Sequence, residues 1–586
     1  MSVAGSNGVE SDGRPMDEAG LLQACEAADK AGDPQRQFAA YQRYVAFAPS
    51  AGWAWLNLGA AALALDDAVV ALECALRALA TPDFPYVPLA CGNQCNAYAR
   101  MGRFEEAIAS GVRAVELDPD YAIGWWALGE AYMQAGRPGE GLSAFREALH
   151  RGADMPPIKL LDIKRRLCEW DDEPGFAEAL RRDLDERPER TTPWLFNTLL
   201  DRNGIEQRRH AEAFAQHAFG PGAPRPPRRE QAGTPLRLGY VSGDFNEHAT
   251  AYLLAETIER HDRDAFFVCG FGTGTLDTSA IGARIRTAFD AWHDLRGLSA
   301  AETAEVIRRV AIDVLIDLNG YTGRGNPRVY ALRPAPTQIN FLGHPGTMGA
   351  PFYDYIIADR MVAPDPAAFT EQVLWLDCLQ PTCRTRTAAA SPSRAELGLP
   401  EHAVVLGAMN NAWKLTPSLF NVWMQILQAS PETVLWQLSD GINDRALHRE
   451  AARHGLADRF FLAPRIDQAA HLARMAHIDL ALDTHPCGGH TTTSDLLWSG
   501  APVLTLLGRA FASRVAASLL HAAELPQLVV HDVDAYRAMA IELSLDRPRL
   551  AALRQHLLDH RERLPLFDNA HFVRQLEAAY RYAAAH

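Results

Sequence analysis

The chain has 586 residues, which is too long for one hydrophobic core and predicts two to four domains. Hydrophobic residues make up 48% and charged residues 22%, the composition of a soluble globular protein. The net charge of −15 argues against non-specific binding to DNA or anionic membranes, and no window holds the roughly 20 unbroken apolar residues of a membrane span.

The first twenty residues are polar and acidic. They lack the basic start and apolar centre of a secretory signal, so we predict a disordered tail at residues 1–20. The nine cysteines are odd in number and scattered, which predicts reduced thiols and a cytoplasmic protein. Cys91 and Cys95 would share a helical face, but no second pair follows at the spacing of a structural metal site, so we expect none.

Residues 21–218 are rich in Ala, Leu and Arg and contain a repeat. Trp125, Leu128, Gly129 and Tyr132 fit the tetratricopeptide pattern W-x2-L-G-x2-Y. Related positions recur 34 residues earlier in the chain. Because a single helix pair cannot cover its own apolar face, stacked pairs bury it, and we predict a helical solenoid rather than an ordinary bundle.

The next segment, 219–235, is rich in proline and glycine and is predicted to be a linker. Short apolar runs then alternate with helix-like stretches over 236–385 and, after a second linker at 386–402, over 403–586. Such alternation predicts two Rossmann-like α/β domains with parallel sheets. Ligands of such sheets bind beyond the carboxyl ends of the strands.

The stretch "LALDTHPCGGHTTTSDLLWSG" places small and hydroxyl residues between a predicted strand and a predicted helix. A helix N-terminus carries unpaired N–H groups, and glycines let the backbone approach a ligand closely. We therefore predict that His490, Thr491 and Thr492 bind a diphosphate, with Asp495 accepting from a ribose hydroxyl. Simple capping of the helix is the alternative, but it explains only one of these residues.

Lys414 follows the first predicted strand of the last domain, with Asn411 in the same loop. A lysine at the end of a strand could neutralise charge on a departing diphosphate, although a solvated surface lysine is equally consistent with the sequence. Farther along, His471 and Arg474 lie one helical turn apart and could face a flat base, or form an ordinary surface pair. Clustered carboxylates are lacking near the predicted phosphate loop, so we predict metal independence.

In the first α/β domain, His248 follows a strand and precedes a helix. A histidine can serve as acid, base or hydrogen-bond partner near neutral pH, although a capping role needs no function. Two glycine-rich loops at other strand ends could shape a sugar pocket, with His344 as a lesser candidate.

Three stretches together resemble the protein O-GlcNAc transferases of glycosyltransferase family 41: "LRPAPTQINFLGHPGTMGAPFYDYIIAD", "CGGHTTTSDLLWSGAPVLT" and "FASRVAASLL". The resemblance implies tetratricopeptide repeats followed by a GT-B catalytic unit of two Rossmann-like domains. It implies a metal-independent, inverting transfer of N-acetylglucosamine from UDP-GlcNAc to Ser or Thr hydroxyls of proteins that the repeats hold. The donor is a substrate, and no cofactor is expected.

The resemblance also assigns roles to individual residues. His248 matches an active-site histidine once proposed as the base. Binding roles fall on the following positions: Lys414 and Asn411 at the diphosphate; His490, Thr491 and Thr492 at the phosphates; Asp495 at the ribose; His471 and Arg474 around the uracil.

Three positions depart from the family pattern. Gln468 stands where a nucleotide-contacting lysine is expected, and His344 replaces a usual tyrosine. Glu305 occupies the place of an aspartate also suggested as the base, so it joins His248 and Lys414 as a catalytic candidate. The long insert of the animal enzymes is missing and the repeat array is short, so the chain resembles a bacterial member.

Other functions stay open on the sequence alone. A protein O-fucosyltransferase that uses GDP-fucose has the same architecture, and Gln468 in the base pocket keeps it open. A catalytically silent repeat scaffold is an alternative of another class, and a nucleotide-sugar epimerase shares the GT-B fold but lacks a use for the repeats. The acceptor protein is not specified, and a homodimer is left open.

Overall fold

A computed structural model describes residues 17–171, 175–228, 235–275, 278–386 and 389–586. Most of the predicted tail and parts of both predicted linkers therefore lie outside the described residues. The chain divides into two compact units, Met1–Ile163 and Lys164–His586. Of the described helices, none is long and apolar enough to cross a membrane.

The first unit is helical, and its helices pack as consecutive pairs. Helix α5 also packs against both α3 and α7. The helices are α1 (Glu18–Ala31), α2 (Pro34–Phe47), α3 (Gly52–Ala64), α4 (Ala68–Leu79), α5 (Val87–Arg100), α6 (Phe104–Leu117), α7 (Ala122–Gln134) and α8 (Pro138–His150), followed by α9 (Pro157–Leu167) across the boundary between the units.

The predicted repeat is visible as repeated local geometry. The indole Nε1 of Trp55 donates to the carbonyl of Pro49 at 2.8 Å, and Trp125 donates in the same way to Pro119 at 2.9 Å. Gly102 and Gly136, 34 residues apart, both adopt left-handed φ angles near their helix ends, +74° and +72°. The prediction of tetratricopeptide-type helix pairs is confirmed.

Small residues allow the helices of a pair to approach closely. Ala114 and Ala148 are completely buried at equivalent repeat positions. A Cβ added to Gly129 in α7 would collide with the ring of Phe145 in α8. The glycine and alanine content of this region therefore follows from the packing distance between helices.

The second unit starts with further helices and continues into two sheets. Helix α12 lies directly on the first sheet's loops, because a Cβ on Gly349 would collide with the backbone of Ala211. The helices are α10 (Phe176–Glu186), α11 (Pro193–Leu199) and α12 (Gly204–Phe219). The predicted domain boundary at residue 218 lies at the end of α12, while the compact unit begins earlier, at Lys164.

In the described part of the chain, the first sheet has seven parallel strands in the order β3-β2-β1-β4-β5-β6-β7. Strands β1 and β4 pair in the centre, with Leu238 opposite Val314, and are almost fully buried, as strands covered on both faces must be. The elements are β1 (Leu236–Ser242), α13 (Ala249–Glu259), β2 (Phe266–Gly272), α14 (Ala280–Thr287), β3 (Ala291–Asp294), α15 (Ala300–Val310), β4 (Val314–Asp317), α16 (Pro327–Ala331), β5 (Thr337–Asn340), β6 (Tyr355–Ala358) and β7 (Gln372–Trp375).

Among the described residues, the second sheet has six parallel strands in the order β10-β9-β8-β11-β12-β13. The order reverses between β8 and β11, which is the switch point where such sheets bind ligands. The elements are β8 (Val404–Ala408), α17 (Pro417–Ala429), β9 (Thr433–Leu438), α18 (Asp444–Arg453), β10 (Phe460–Ala463), α19 (Gln468–Met475), β11 (Leu480–Leu482), α20 (Thr491–Trp498), β12 (Val503–Leu506), α21 (Val515–Ala522), β13 (Val529–Val530), α22 (Val533–Leu545), α23 (Arg547–His560) and α24 (Asn569–Ala585).

The last helix returns to the first sheet. The Tyr580 hydroxyl lies 3.0 Å from that of Tyr240 in β1, and a Glu577 carboxylate oxygen lies 3.0 Å from Nδ1 of His261. The two α/β domains are therefore tied together by α24 in addition to the segment between β7 and β8. The sequence analysis included these residues in the second α/β domain, 403–586, and did not predict their contact with the first sheet.

Candidate active site

The loops after β8 and β11 meet at the switch point of the second sheet. The Nζ atom of Lys414 donates to the carbonyl oxygen of Gly488 at 2.7 Å. Because β8 and β11 are neighbours, their carboxyl ends bring these two loops together. The structure thus joins Lys414 to the loop that the sequence singled out for phosphate.

The glycine-rich loop is held by the buried side chain of Asp483. Its Oδ1 accepts from the Gly489 amide at 2.6 Å and from Nδ2 of Asn410 at 3.0 Å. Its Oδ2 accepts from the Thr505 hydroxyl at 2.7 Å. Burial raises the pKa of Asp483, while these donors and the charge of Lys414 oppose the rise. Asp483 therefore shapes the loop and is not a free carboxylate.

Helix α20 begins directly after this loop. His490 is its N-cap residue, and Thr491 and Thr492 are its first two residues. The Nε2 atom of His490 donates to the carbonyl of Ala512 at 3.4 Å. Burial, with a smaller contribution from Lys414, lowers the pKa of His490 to about 3, so its imidazole is neutral at neutral pH. The N–H groups of the first turn and the Lys414 ammonium make this end of α20 suitable for an anion.

A cavity of about 250 Å³ opens beside α20, between the two α/β domains. Its walls come from α13 and α14 on one side and from α19 and α20 on the other. Thr491 and Asp495 from α20 line it, together with Gln468 from the start of α19. Three predicted binding residues therefore share one cavity with the N-terminus of α20.

At the wall of this cavity, Asp495 is held on both sides. Its Oδ1 pairs with the guanidinium of Arg386, and its Oδ2 accepts from Nε2 of Gln468 at 3.1 Å. Burial raises the pKa of Asp495, and the charge of Arg386 opposes the rise. The sequence patterns singled out Asp495 and Gln468 but missed Arg386, which lies in the predicted linker.

The predicted pair on α19 forms a rigid unit. Arg474 is 1% exposed and donates through Nε and Nη2 to Nδ1 of His471, at 3.0 and 2.7 Å. Its Nη1 donates to the Pro464 carbonyl at 2.6 Å. Burial lowers the pKa of His471 to about 4, and Arg474 adds to the effect. The imidazole is therefore neutral and its orientation is fixed, while Leu472 beside it lines the cavity.

On the facing domain, His248 is the N-cap residue of α13. Its Nδ1 accepts from the Thr250 amide at 3.3 Å and lies 3.9 Å from Oδ2 of Asp244, and its side chain is 47% exposed. Asp244 in turn accepts from the Asn319 amide at 2.6 Å. One turn after His248, Tyr252 lines the cavity. A partly exposed imidazole thus lies on the helix that forms the opposite wall.

Two predicted residues lie apart from this arrangement, and a third, in the Lys414 loop, is held by an arginine. His344 is buried, its Nε2 accepts from Asn197 Nδ2 at 3.4 Å, and burial lowers its pKa to about 3. Glu305 lies on the exposed side of α15, 3.6 Å from Arg308. The side chain of Asn411 accepts from Arg465. The structure does not bring His344 or Glu305 to the cavity wall.

In the described part of the chain, no three His, Cys, Asp or Glu side chains are grouped as the ligands of a metal ion would be. The neutral donors, the single ammonium and the occupied carboxylates of the cleft suit a phosphorylated ligand. The molecule therefore combines a helical-repeat region with two parallel-sheet α/β domains that enclose a cleft.

Comparison with known proteins gives the family. The model of glycosyl transferase family 41 matches residues 221–377 and 383–576, and a tetratricopeptide-repeat model matches residues 96–136. The first match covers more than half of the chain. The chain belongs to glycosyl transferase family 41.

Related proteins agree with this assignment. The chain is 32% identical over 382 residues to the probable UDP-N-acetylglucosamine–peptide N-acetylglucosaminyltransferase SEC of Arabidopsis thaliana, covering 63% of this chain and 39% of that protein. It is 26% identical over 465 residues to the UDP-N-acetylglucosamine–peptide N-acetylglucosaminyltransferase of Caenorhabditis elegans, covering 59% and 40%. The chain spans about two fifths of the length of these curated relatives.

A solved structure matches nearly the whole chain. A lysine-to-methionine mutant of the Thermobaculum terrenum O-GlcNAc transferase superposes with a TM-score of 0.66 at 27% identity, covering 92% of this chain and 98% of that one. The predicted fold class, a helical repeat array followed by a GT-B pair of α/β domains, is confirmed.

Proposed function

We propose that this protein is an inverting, metal-independent glycosyltransferase that moves N-acetylglucosamine from UDP-GlcNAc to Ser or Thr hydroxyls of polypeptides. The observation that carries the proposal is the contact of Lys414 with the loop before α20, next to a cavity lined by Thr491 and Asp495. The names of the relatives, which are peptide N-acetylglucosaminyltransferases, support the donor and the acceptor class.

In this proposal the second α/β domain holds the nucleotide. The first N–H groups of α20, the hydroxyls of Thr491 and Thr492 and the Lys414 ammonium bind the diphosphate. His490 stays neutral beside it and contributes hydrogen bonding without charge. Because donors fixed in advance stabilise charge that develops on a leaving group, these groups favour departure of UDP.

The nucleoside would lie along α19 and α20. Asp495 accepts from the ribose hydroxyls, and the fixed pair of His471 and Arg474 lies beside the base. Asn411 borders the diphosphate from the same loop as Lys414. His344 supports the shape of the loop that follows β5 in the first sheet. Glu305 takes no part in the chemistry.

Inversion follows from a single displacement, in which the acceptor hydroxyl attacks the anomeric carbon opposite the departing diphosphate. A retaining enzyme of the double-displacement type uses a carboxylate nucleophile. Of the described residues that line the cavity, Asp495 alone carries a carboxylate, and its charge is paired with that of Arg386. His248, on the facing helix, contacts the sugar and the incoming hydroxyl.

Metal independence is supported by the chemistry of the donor set. A divalent cation between diphosphate and protein needs carboxylates whose charge is not already matched by a cation or by fixed donors of the protein. Asp483 and Asp495, the carboxylates nearest the N-terminus of α20, accept hydrogen bonds or pair with cations of the protein itself. The Lys414 ammonium supplies the positive charge in their place.

Calorimetric titration of the full chain with UDP and with GDP tests the donor class, and transfer from UDP-GlcNAc to Ser- and Thr-containing peptides tests the reaction. The proposal predicts preferential UDP binding and glycosylated peptide. A preference for GDP would instead favour the fucosyltransferase. UDP binding without transfer to any peptide or cell-lysate protein would favour the silent scaffold.

A further inference from the structure

Arg386 links the segment between the two α/β domains to the candidate nucleotide site. Its guanidinium pairs with Oδ1 of Asp495 and donates to the Ser494 hydroxyl at 3.3 Å. Its Nε donates to the carbonyl of Cys383 at 2.9 Å. The side chains of Arg386 and Asp495 are only 8% and 9% exposed, so this ion pair is shielded from water.

The second contact of the Asp495 carboxylate is with an uncharged side chain. Oδ2 of Asp495 accepts from the amide of Gln468, which carries no charge. The charge opposite Asp495 therefore comes from Arg386. A carboxylate has about four acceptor positions, and these two contacts use two of them. The side chains of Arg386, Asp495 and Gln468 all line the cavity.

We propose that Arg386 is a positioning residue of the donor site, which holds Asp495 as a charged and oriented acceptor for the ribose hydroxyls of the bound nucleotide. The inference rests on the proposed function, because it takes the cavity as the nucleotide site. It adds that recognition of the ribose depends on a residue outside both sheets, in the segment that joins them. A guanidinium suits this role because its separate N–H groups hold Asp495, the Ser494 hydroxyl and the Cys383 carbonyl at once, which fixes the arginine as it pairs with the carboxylate.

The test compares the affinities for UDP and for 2′,3′-dideoxy-UDP by calorimetry. The wild type should prefer UDP by about tenfold or more, as expected for hydrogen bonds to a charged acceptor. In Arg386→Gln the affinity for UDP should fall to nearly that for the dideoxy compound, whose own affinity stays close to the wild-type value. Retained binding of the dideoxy compound shows that the variant is folded.

Two further variants separate charge from general disturbance. Arg453→Gln removes an arginine of α18 that pairs with Glu450 outside the cavity, and should keep the wild-type preference. Adding Gln468→Lys to Arg386→Gln restores a cation beside Oδ2 of Asp495 and should restore most of the preference. If Arg386→Gln does not fold, Arg386→Lys replaces it and should lose at least about threefold of the preference, because one ammonium cannot keep the contacts with Asp495, Ser494 and Cys383 together.

An unchanged preference in Arg386→Gln, or equal weakening of both ligands, would overturn the inference while leaving the proposed function standing. A double variant no more selective than Arg386→Gln would overturn the claim that the charge opposite Asp495 matters. Failure of the wild type to bind UDP would overturn the proposed function and this inference with it.

Discussion

The ammonium of Lys414 reaches across from the end of β8 and donates to the carbonyl oxygen of Gly488 at 2.7 Å. This contact fixes the lysine against the loop before α20, beside the N–H groups of the helix. Lys414 is the last lysine in the sequence, so the permanently charged cations after it are all arginines. A compact ammonium at this point suits a phosphate oxygen that shares it with a backbone carbonyl.

Lys414→Ala should lower turnover about a hundredfold or more with the fold intact, because a fixed donor to a leaving group contributes roughly 3–4 kcal/mol. Steady-state kinetics with UDP-GlcNAc and a peptide measure the effect. Lys159→Ala, which removes a lysine that pairs with Glu130 in the first unit, is the matched control. A near-normal rate for Lys414→Ala would remove this residue from the mechanism.

Gly489→Ala should weaken UDP binding about tenfold or more, an estimate based on the loss of one to two fixed donors. A Cβ at this position would lie 2.5 Å from the hydroxyl oxygen of Thr493 and 3.2 Å from Oδ1 of Asp483, so the loop must shift. Gly139→Ala is the control, because Gly139 is exposed in α8 with nothing within 4 Å of its added Cβ. We expect that change to leave binding unaltered. Equal UDP affinities for all three proteins would contradict the loop's role.

Asp483→Asn should destabilise the second unit by about 1–3 kcal/mol, because one amide NH₂ would then face buried donors. Chemical denaturation, followed by tryptophan fluorescence, gives the free energy of unfolding. The same substitution at Asp534, whose side chain is 82% exposed and pairs with Arg537, should change it by less than about 0.5 kcal/mol. Similar values for the two variants would show that the Asp483 hydrogen bonds contribute little.

The stability of the second unit should fall on acidification below about pH 6.5. Burial lowers the pKa of His344 to about 3, so the unfolded chain takes up its proton first as the pH falls. Above the pKa of the unfolded chain, the imidazole is neutral in both states and this contribution to the free energy of unfolding is fully present. As the pH falls from there toward the pKa of the folded protein, the free energy of unfolding decreases by up to about 1.4 kcal/mol per pH unit. His210, His471 and His490 act in the same direction.

Denaturation of the wild type and His344→Asn between about pH 7 and about pH 5 measures this contribution. The wild type should lose more free energy of unfolding over this interval than the variant, so the two should converge at the acidic end. Parallel losses would mean that His344 titrates normally in the folded protein.

The sequence predicts much of the fold because its signals are local and repeated. The 34-residue spacing of Gly102 and Gly136 follows from a turn that each helix pair needs. The apolar runs that became β1 and β8 are buried on both faces, and such runs are readily recognised. The proximity of Lys414 to the glycine-rich loop could also be predicted, because parallel strands bring their carboxyl ends to one edge of the sheet.

Other features depend on contacts between distant parts of the chain. Arg386 lies in a segment with the composition of a linker, and only the folded structure shows its pairing with Asp495 across 109 positions. The return of α24 to Tyr240 and the support of His344 by Asn197 likewise leave no local pattern. The three donors to Asp483 come from the loop after β8, the loop after β11 and strand β12, which no local pattern connects.

A crystal structure of the protein with UDP tests the central claim most directly. The account predicts that the diphosphate lies within hydrogen-bond distance of the Lys414 ammonium and the Thr491 amide, with the ribose toward Asp495. Nucleotide density in another part of the molecule, away from the N-terminus of α20, would contradict it.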